Sequence, residues 1–456
     1  MPDLKAIYTN LAKNLHYLYL LFAIPLVLIA LIDIPPFQNP DEPNHFARAE
    51  QVSRLEWVPA FENNVGFKVD KGVYQTADVY APIAHHIGIK ATAADKDSVK
   101  NIGWHTGFVL RNFANTAIYA PVGYVMPALA IAAGKIIDLS VINTFYLARL
   151  LNALLAITLC FFALRLAKRS KILLFTVLLF PMTVALFASV SQDAILISCA
   201  FLLVGMIDFT ESTPGKTYTR RELIWMIVLT SVICIAKPPY LPFVLVFPFL
   251  KLGKKEKTIS IILPVVLVIG WFLLASANFT IKMPETQLSV NPQEQLSHIL
   301  HNPLRFVGLF FKMDMARMVN TFLMFVGILG WLDTPMPFSY YNIAYLITII
   351  VICITLNLTI RDKLKLRLGL FITALVALMA VLTSQYINFT AVDATIFGGV
   401  QGRYLIPIFP FLALSLPLSK HEDVATNFKA IGLILVLLFP LFTVVNLVHI
   451  LNIRYW

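Results

Sequence analysis

The sequence predicts an all-α, polytopic transmembrane bundle of about 10–13 helices with one large polar loop after its first span. Three observations carry that expectation. Hydrophobic residues fill 58% of the 456 positions and charged residues only 13%, where a soluble domain carries roughly 25% charged residues. The apolar residues come in long runs without strand-like alternation, such as 343–358 and 433–447, close to the ~20 residues with which a helix crosses a bilayer. Short clusters of Lys and Arg separate the runs, at 165–171, 216–221, 251–257 and 361–367, which is the pattern of cytoplasmic loops. Helices satisfy their own backbone groups in lipid, and the alternating ~10-residue segments of a membrane barrel are not seen.

The net charge of +11 would suggest a nucleic-acid partner in a soluble protein. Here the basic residues belong to the loop clusters and no nucleic-acid-binding motif competes, so no such partner is expected. Cys160, Cys199, Cys234 and Cys353 lie inside apolar runs without metal-ligand spacing and read as packing residues. His85 and His86 lack a carboxylate or third ligand at a recognisable spacing and read as a solvated loop; Asp95, Lys96, Asp97 and Lys100 read as a solvated face. No cofactor is expected. A divalent metal is left open, with no ligand set to indicate one.

Taken in order, the first span is about residues 17–34. Lys5 and Lys13 hold its start on the cytoplasmic side, and no small-residue cleavage site follows, so it reads as a retained span. The polar segment 35–115 then forms a large extracytoplasmic loop, in which 42–55 has the composition of an interfacial helix. Apolar runs follow at 117–137, 141–166, 172–190, 194–209, 223–250, 259–276, 339–360, 364–385, 404–418 and 429–451. The run 223–250 is broken at Lys237-Pro238-Pro239 and is expected to cross twice. Residues 278–337 make a second external region, whose apolar stretch 306–329 is expected to be re-entrant or interfacial. Counting passes between basic clusters leaves one conflict. If both 117–137 and 141–166 cross, residues 165–171 fall on the wrong side, so either one run does not cross or the charge rule fails there. The whole chain, 1–456, reads as a single membrane domain. The same count puts Asp41, Glu42, His45, Arg48, Asp193, Lys237, Asp333, Gln401 and Arg403, from five separate places, on one membrane face.

These residues sit in blocks that resemble a family. QNPDEPNHFARAEQVS at 38–53, YAPVGY at 119–124, SVSQDA at 189–194, KPPYLP at 237–242, LGWLDT at 329–334 and GVQGRYLIPIFP at 399–410 are similar, in this order, to the signatures of the DUF2142 family of bacterial membrane proteins. That family is grouped with the GT-C glycosyltransferases. The resemblance implies a GT-C-type bundle in the bacterial inner membrane, with a site facing the extracytoplasmic side. It implies an inverting transfer of a sugar from a polyprenyl-phosphate donor to an envelope glycan or lipid-linked acceptor, such as O-antigen of a lipopolysaccharide or a wall polymer. The chain departs from the pattern in having Ala120 where a second Pro is expected, and in a short stretch at 420–427 with no soluble domain of the oligosaccharyltransferase type following it.

Under this reading Asp41 and Glu42 are the candidate catalytic acids, with helix capping as the competing role of Asp41 and a first-turn dipole role as that of Glu42. His45 and Arg48 share Asp41's helical face and are candidate substrate ligands, although Arg48 would serve equally as Asp41's ion-pair partner. Asp193 opens an apolar helix, as a ligand or as a cap. Lys237 and Arg403 are candidates for the donor phosphate, Arg403 through its planar fork. Tyr119, Tyr240, Asp333, Gln401 and Tyr404 complete the substrate-binding set. Two other classes compete. A transporter or flippase of a lipid-linked glycan would use the same cations but calls for inverted repeats and midplane charges. An acyltransferase would need a membrane-embedded His or Ser–His pair. No repeat is detected and the charges cluster at span ends, and the nine histidines lie mostly in loops.

Overall fold

The computed structural model describes residues 4–63, 65–105, 107–276, 290–312, 314–358, 362–419 and 426–456. The start of the second external region (278–289), Arg361 and most of the stretch 420–427 lie outside the described residues.

α1 (Leu4–Lys13) buries Tyr8 and Ala12 and exposes Lys5, Thr9 and Lys13, the two-faced pattern of an interfacial helix. α2 (Leu15–Asp33) turns Leu15, Tyr19, Ala23, Leu26 and Ala30 inward while Tyr17, Leu21, Ile24, Leu28 and Ile32 face outward. A helix apolar on both sides belongs in lipid. Pro35 and Pro36 follow its end, where a helix cannot continue.

The large polar loop carries α3 (Glu42–Ser53), β1 (Phe61–Glu62), β2 (Gly66–Asp70), α4 (Lys71–Tyr80), α5 (Ala93–Val99), β3 (Phe108–Arg111), α6 (Ala114–Ala117) and α7 (Val125–Ile136). β1, β2 and β3 form a small antiparallel sheet, Phe61 facing Phe67 and Val69 facing Val109. Thr92 and Asp95 close a capping box at the start of α5.

α7 bears on the conflict in the sequence. Its twelve residues rise about 18 Å, well short of the ~30 Å hydrocarbon layer. Lys135 near its end pairs with Glu50 of α3 at 2.9 Å. At Gly134 a side chain would run into Thr144 of the next helix, so glycine lets the two helices approach. The helix of the run 117–137 thus packs against α3 and α8 and is not among those long enough to cross a membrane.

α8 (Val141–Leu166) returns along α2. Nearly every residue of α9 (Lys171–Leu178) and α10 (Pro181–Phe187) is buried, and these two short helices stand at the centre of the bundle. α11 (Asp193–Ser212), α12 (Arg220–Ala236), a 3-10 segment (Pro238–Phe249) and α13 (Lys254–Ser276) follow. The break at Lys237-Pro238-Pro239 divides the run 223–250 into an outgoing and a returning segment, as expected. α14 (Pro292–His301), α15 (Pro303–Leu309) and α16 (Met315–Gly327) occupy the second external region, closed by the pair β4 (Ile328–Leu329) and β5 (Thr334–Pro335). The stretch 306–329 is thus divided between two short helices. α17 (Phe338–Thr355), α18 (Leu364–Phe389), a 3-10 turn (Gly402–Leu405), α19 (Phe409–Ser415) and α20 (Asn427–Tyr455) complete the bundle.

Among the described residues 7 helices are long and apolar enough to cross a membrane: α2, α8, α11, α13, α17, α18 and α20. Shorter or irregular apolar pieces pack among them: α9 with α10, α12, Pro238–Phe249, and Gly402–Leu405 with α19. The bundle has two distinct ends. At the basic end Arg169 meets Asp362 at 2.9 Å and Lys363 meets Glu211 at 3.6 Å. At the loop end Arg454 meets Asp333 at 2.8 Å and Trp456 donates to the Asp33 carbonyl. Burial grades outward, from 78% of the apolar window in α11 to 22% in α13, whose Ile262, Val266, Ile269 and Leu273 face away from the protein.

Candidate functional site

At the loop end six chain segments meet around a cavity of about 170 Å³. Each enters through a helix terminus or a turn. α3 contributes Asp41 and His45. Asp41 immediately precedes Glu42 and Pro43, an acidic and a Pro residue placed at the first helical positions, where the missing N–H costs nothing. Its backbone has φ 60°, a left-handed conformation that Asp tolerates better than most residues. Its side chain makes no capping hydrogen bond, so the capping reading does not hold and the carboxylate is left for the cavity. The break between α10 and α11 brings in Gln192 and Asp193, and the break after α12 brings in Lys237. The 3-10 turn brings in Gln401, Arg403 and Tyr404. It can lie this close to α16 because Gly402 has no side chain: a Cβ there would overlap the backbone at Thr321 and Phe325.

The charges form a chain. Arg403 Nη2 donates to Asp41 Oδ2 at 3.2 Å, and Arg403 Nη1 lies 3.7 Å from Asp193 Oδ2. Lys237 Nζ stands 3.5 Å from the other oxygen of Asp193. Two cations and two anions balance, which is what makes burial of Arg403, Asp193 and Lys237 tolerable. Asp41 is the most open member, 35% exposed against 5% for Arg403. Its other oxygen accepts from Asn115 Nδ2 at 3.2 Å. Tyr404 underlies the cations, with Lys237 Nζ 4.2 Å and Arg403 Cζ 5.3 Å from its ring centre.

His45 places Nδ1 2.8 Å from the Tyr124 hydroxyl. Burial pushes its imidazole down to about 4, against the pull of Asp41 and Asp193, so it is neutral at neutral pH. Tyr119 lines the cavity beside it.

The structure thus brings together Asp41, His45, Tyr119, Asp193, Lys237, Gln401, Arg403 and Tyr404. Four expected site residues stand apart. Glu42 turns away from the cavity: its carboxylate is held by Arg149 through Nη2 at 2.6 Å and Nε at 2.9 Å, with neither side chain exposed, and it also accepts from the Val190 N–H. A carboxylate so occupied is a structural anchor and not a second acid. Arg48 is fully buried and does not pair with Asp41; its donors go to the carbonyls of Tyr119, Glu56 and Trp57. Tyr240 lies behind the site and donates to the Tyr404 carbonyl at 2.9 Å, fixing the 3-10 turn. Asp333 is paired with Arg454 and accepts from the His85 N–H elsewhere at the loop end.

Sequence reasoning missed Asn115, Thr116, Gln192, Gln385, Phe389 and Gly399, which also line the cavity, and the anchor Arg149. A signal existed for two of them. Gln192 stands inside the block SVSQDA, and Arg149 is a charge inside a long apolar run, where an ionisable residue always needs a partner. Among the described residues no group of three or more His, Cys, Asp and Glu is placed to hold a metal ion.

A second cavity, apolar and of about 540 Å³, lies farther along α18. α18 runs along both. Phe371, Ala374, Leu375, Leu378 and Leu382 line the apolar cavity, and Gln385 and Phe389 on the same helical face line the charged one.

Fold and site together define a multi-pass helical membrane protein with a charge-balanced polar cavity at one end and an apolar cavity along the same face of α18. The chain belongs to the DUF2142 family, described as predicted membrane proteins, whose family model matches residues 22–412. No curated protein and no solved structure matches it.

Proposed function

We propose that the protein is an inverting glycosyltransferase of GT-C type that moves a sugar from a polyprenyl-phosphate donor to an envelope glycan or lipid-linked acceptor. The observation that carries this reading is the single face of α18. Over the 15 residues from Phe371 to Gln385, about 21 Å of helix, it changes from an apolar groove wall to a polar cavity wall. A ligand that follows it has a long hydrocarbon tail and a charged head, and the head arrives beside Lys237 and Arg403. The basic clusters at the opposite end support an extracytoplasmic site in the bacterial inner membrane.

The chemistry follows from the ion-pair chain. An incoming phosphate draws Arg403 and Lys237 toward itself and loosens Asp41, the most open partner. Asp41 takes the proton of the acceptor hydroxyl. The hydroxyl oxygen attacks the anomeric carbon as the carbon–oxygen bond to phosphate breaks. The electron pair stays on the departing phosphate, stabilised by the two cations in a water-poor site. In-line displacement inverts the anomeric centre. His45, neutral beside this centre, adds a polar contact without a competing charge.

The test is incubation of the purified protein with a polyprenyl-phosphate sugar and a lipid-linked glycan acceptor, scored for free polyprenyl phosphate. Release in step with sugar transfer is expected. Passage of the intact donor across a vesicle membrane without its consumption would replace this reading with that of a flippase.

A further inference from the structure

Beside the charged cavity lies a third, of about 230 Å³, between α15–α16 and the segment 396–400. Resting on the donor assignment above, we propose that it binds the phosphate of a second, lipid-borne substrate, so that donor and acceptor both reach the site from the membrane.

The lining has two characters. Lys312, Arg317 and Asn320 provide the polar rim, and Met324, Ile396 and Phe397 the apolar floor. The cations here differ from those of the first cavity. Lys312 is exposed and makes no ion pair among the described residues. Arg317 shares its charge with Asp314 at 3.3 Å, both side chains being 40% or more exposed. Exposed pairs of this kind hold weakly and yield readily to a better-placed anion. Lys237 and Arg403, in contrast, are locked into a buried, balanced chain. The third cavity therefore offers net positive charge over an apolar floor, which is the complement of a phosphate on a hydrocarbon chain and not of a neutral sugar.

Its neighbours fix the role. Gly399 lines both this cavity and the charged one. Thr321, Leu382 and Val400 line both this cavity and the apolar groove. Two head-group positions thus flank one glycine, and the third cavity shares part of its wall with the apolar groove. A lipid-borne acceptor held on the α16 side presents its hydroxyl across Gly399 toward Asp41, while the donor occupies the Arg403 side.

The experiment is calorimetric titration of the purified, detergent-solubilised protein with farnesyl phosphate, and in parallel with inorganic phosphate. Two classes of farnesyl phosphate site are expected. Lys312→Ala combined with Arg317→Ala should weaken one class at least about tenfold and spare the other, because both residues are at the surface and the fold does not depend on them. Arg403→Ala should remove the other class. Inorganic phosphate should bind at least about tenfold more weakly at both, for want of a tail. A single class of sites unaffected by the double variant overturns the proposal, as does inorganic phosphate binding at the Lys312 side as tightly as the lipid. Loss of one class in the double variant, with both classes intact in Arg403→Ala, keeps the second site and removes the donor assignment instead.

Discussion

The guanidinium of Arg149 holds the Glu42 carboxylate at 2.6 and 2.9 Å and, with its remaining donors, the carbonyls of Leu31, Ile34 and Pro35. Since Glu42 also accepts from Val190, one buried pair ties together the end of α2, the start of α3, α8 and the segment leading to Asp193. Asp41 and Asp193, carried on two of those pieces, are registered through it. Glu42→Gln or Arg149→Met alone leaves an uncompensated buried charge, and a loss of about 3–5 kcal/mol is expected. Glu42→Leu with Arg149→Met should recover only part, because three carbonyls and the Val190 N–H lose their partner. Thermal unfolding in detergent measures both. Single variants as stable as the parent would refute the anchor.

Asp41→Asn tests the base. Asp41 makes no capping bond and Asn tolerates a positive φ, so the local backbone should hold, while loss of one anion beside Arg403 should lower stability by about 1–3 kcal/mol, read by thermal unfolding in detergent. The amide cannot take a proton, and transfer should fall about 10²–10⁴-fold. Near-normal turnover of the well-folded variant would move the base to Asp193.

Arg403 spans two carboxylates with a fork, and lysine has one point of attachment. Arg403→Lys should therefore raise the KM for the lipid donor at least about tenfold although the charge is kept. Lys237→Ala should raise the same KM and leave that of the acceptor unchanged. Normal donor kinetics in both variants would place phosphate binding elsewhere.

His45 supplies a pH test. Its folded pKa of about 4 lies below the ordinary 6.5, so the unfolded chain binds the proton more readily. Stability is full above pH 6.5 and is lost as pH falls toward 4, by up to about 3 kcal/mol from this group. The acid-side fall in Tm between pH 7 and 4.5 should be shallower in His45→Gln. Parallel curves would show that His45 is not the group responsible.

Sidedness is open to cysteine labelling in intact cells after Cys353, the exposed native thiol, is replaced by Ser. Asp97→Cys and Gln293→Cys, both exposed at the loop end, should react with an impermeant reagent, and Lys254→Cys at the basic end should not. The reverse pattern would place the cavity on the cytoplasmic side.

The bundle was legible because lipid imposes long apolar runs, and the basic clusters oriented them. Pieces such as Pro238–Phe249 were found only because Lys237 and its prolines interrupt a run too long for one helix. α7 was ambiguous because hydropathy counts apolar residues without saying what covers them. Its partners, α3 and Thr144, are distant in sequence or hidden behind a turn. The site was legible where a charge stands at a run boundary, as at Asp193, Lys237 and Arg403. It was misread at Glu42, adjacent to Asp41 in sequence but turned to the opposite side by the first turn of α3. Nothing local in the motif reveals that its partner lies more than a hundred residues away, at Arg149.

The balance of two anions and two cations around the charged cavity bears on selectivity. A pocket with surplus positive charge gathers whatever phosphate the surroundings contain. This one has no surplus, so a soluble sugar phosphate gains little by exchanging with Asp41 for the attention of Arg403. Under the proposed function, only a ligand that brings hydrocarbon to the groove along α18 gains enough to open the chain. The membrane then acts as a filter, and the same tail that delivers the donor admits it.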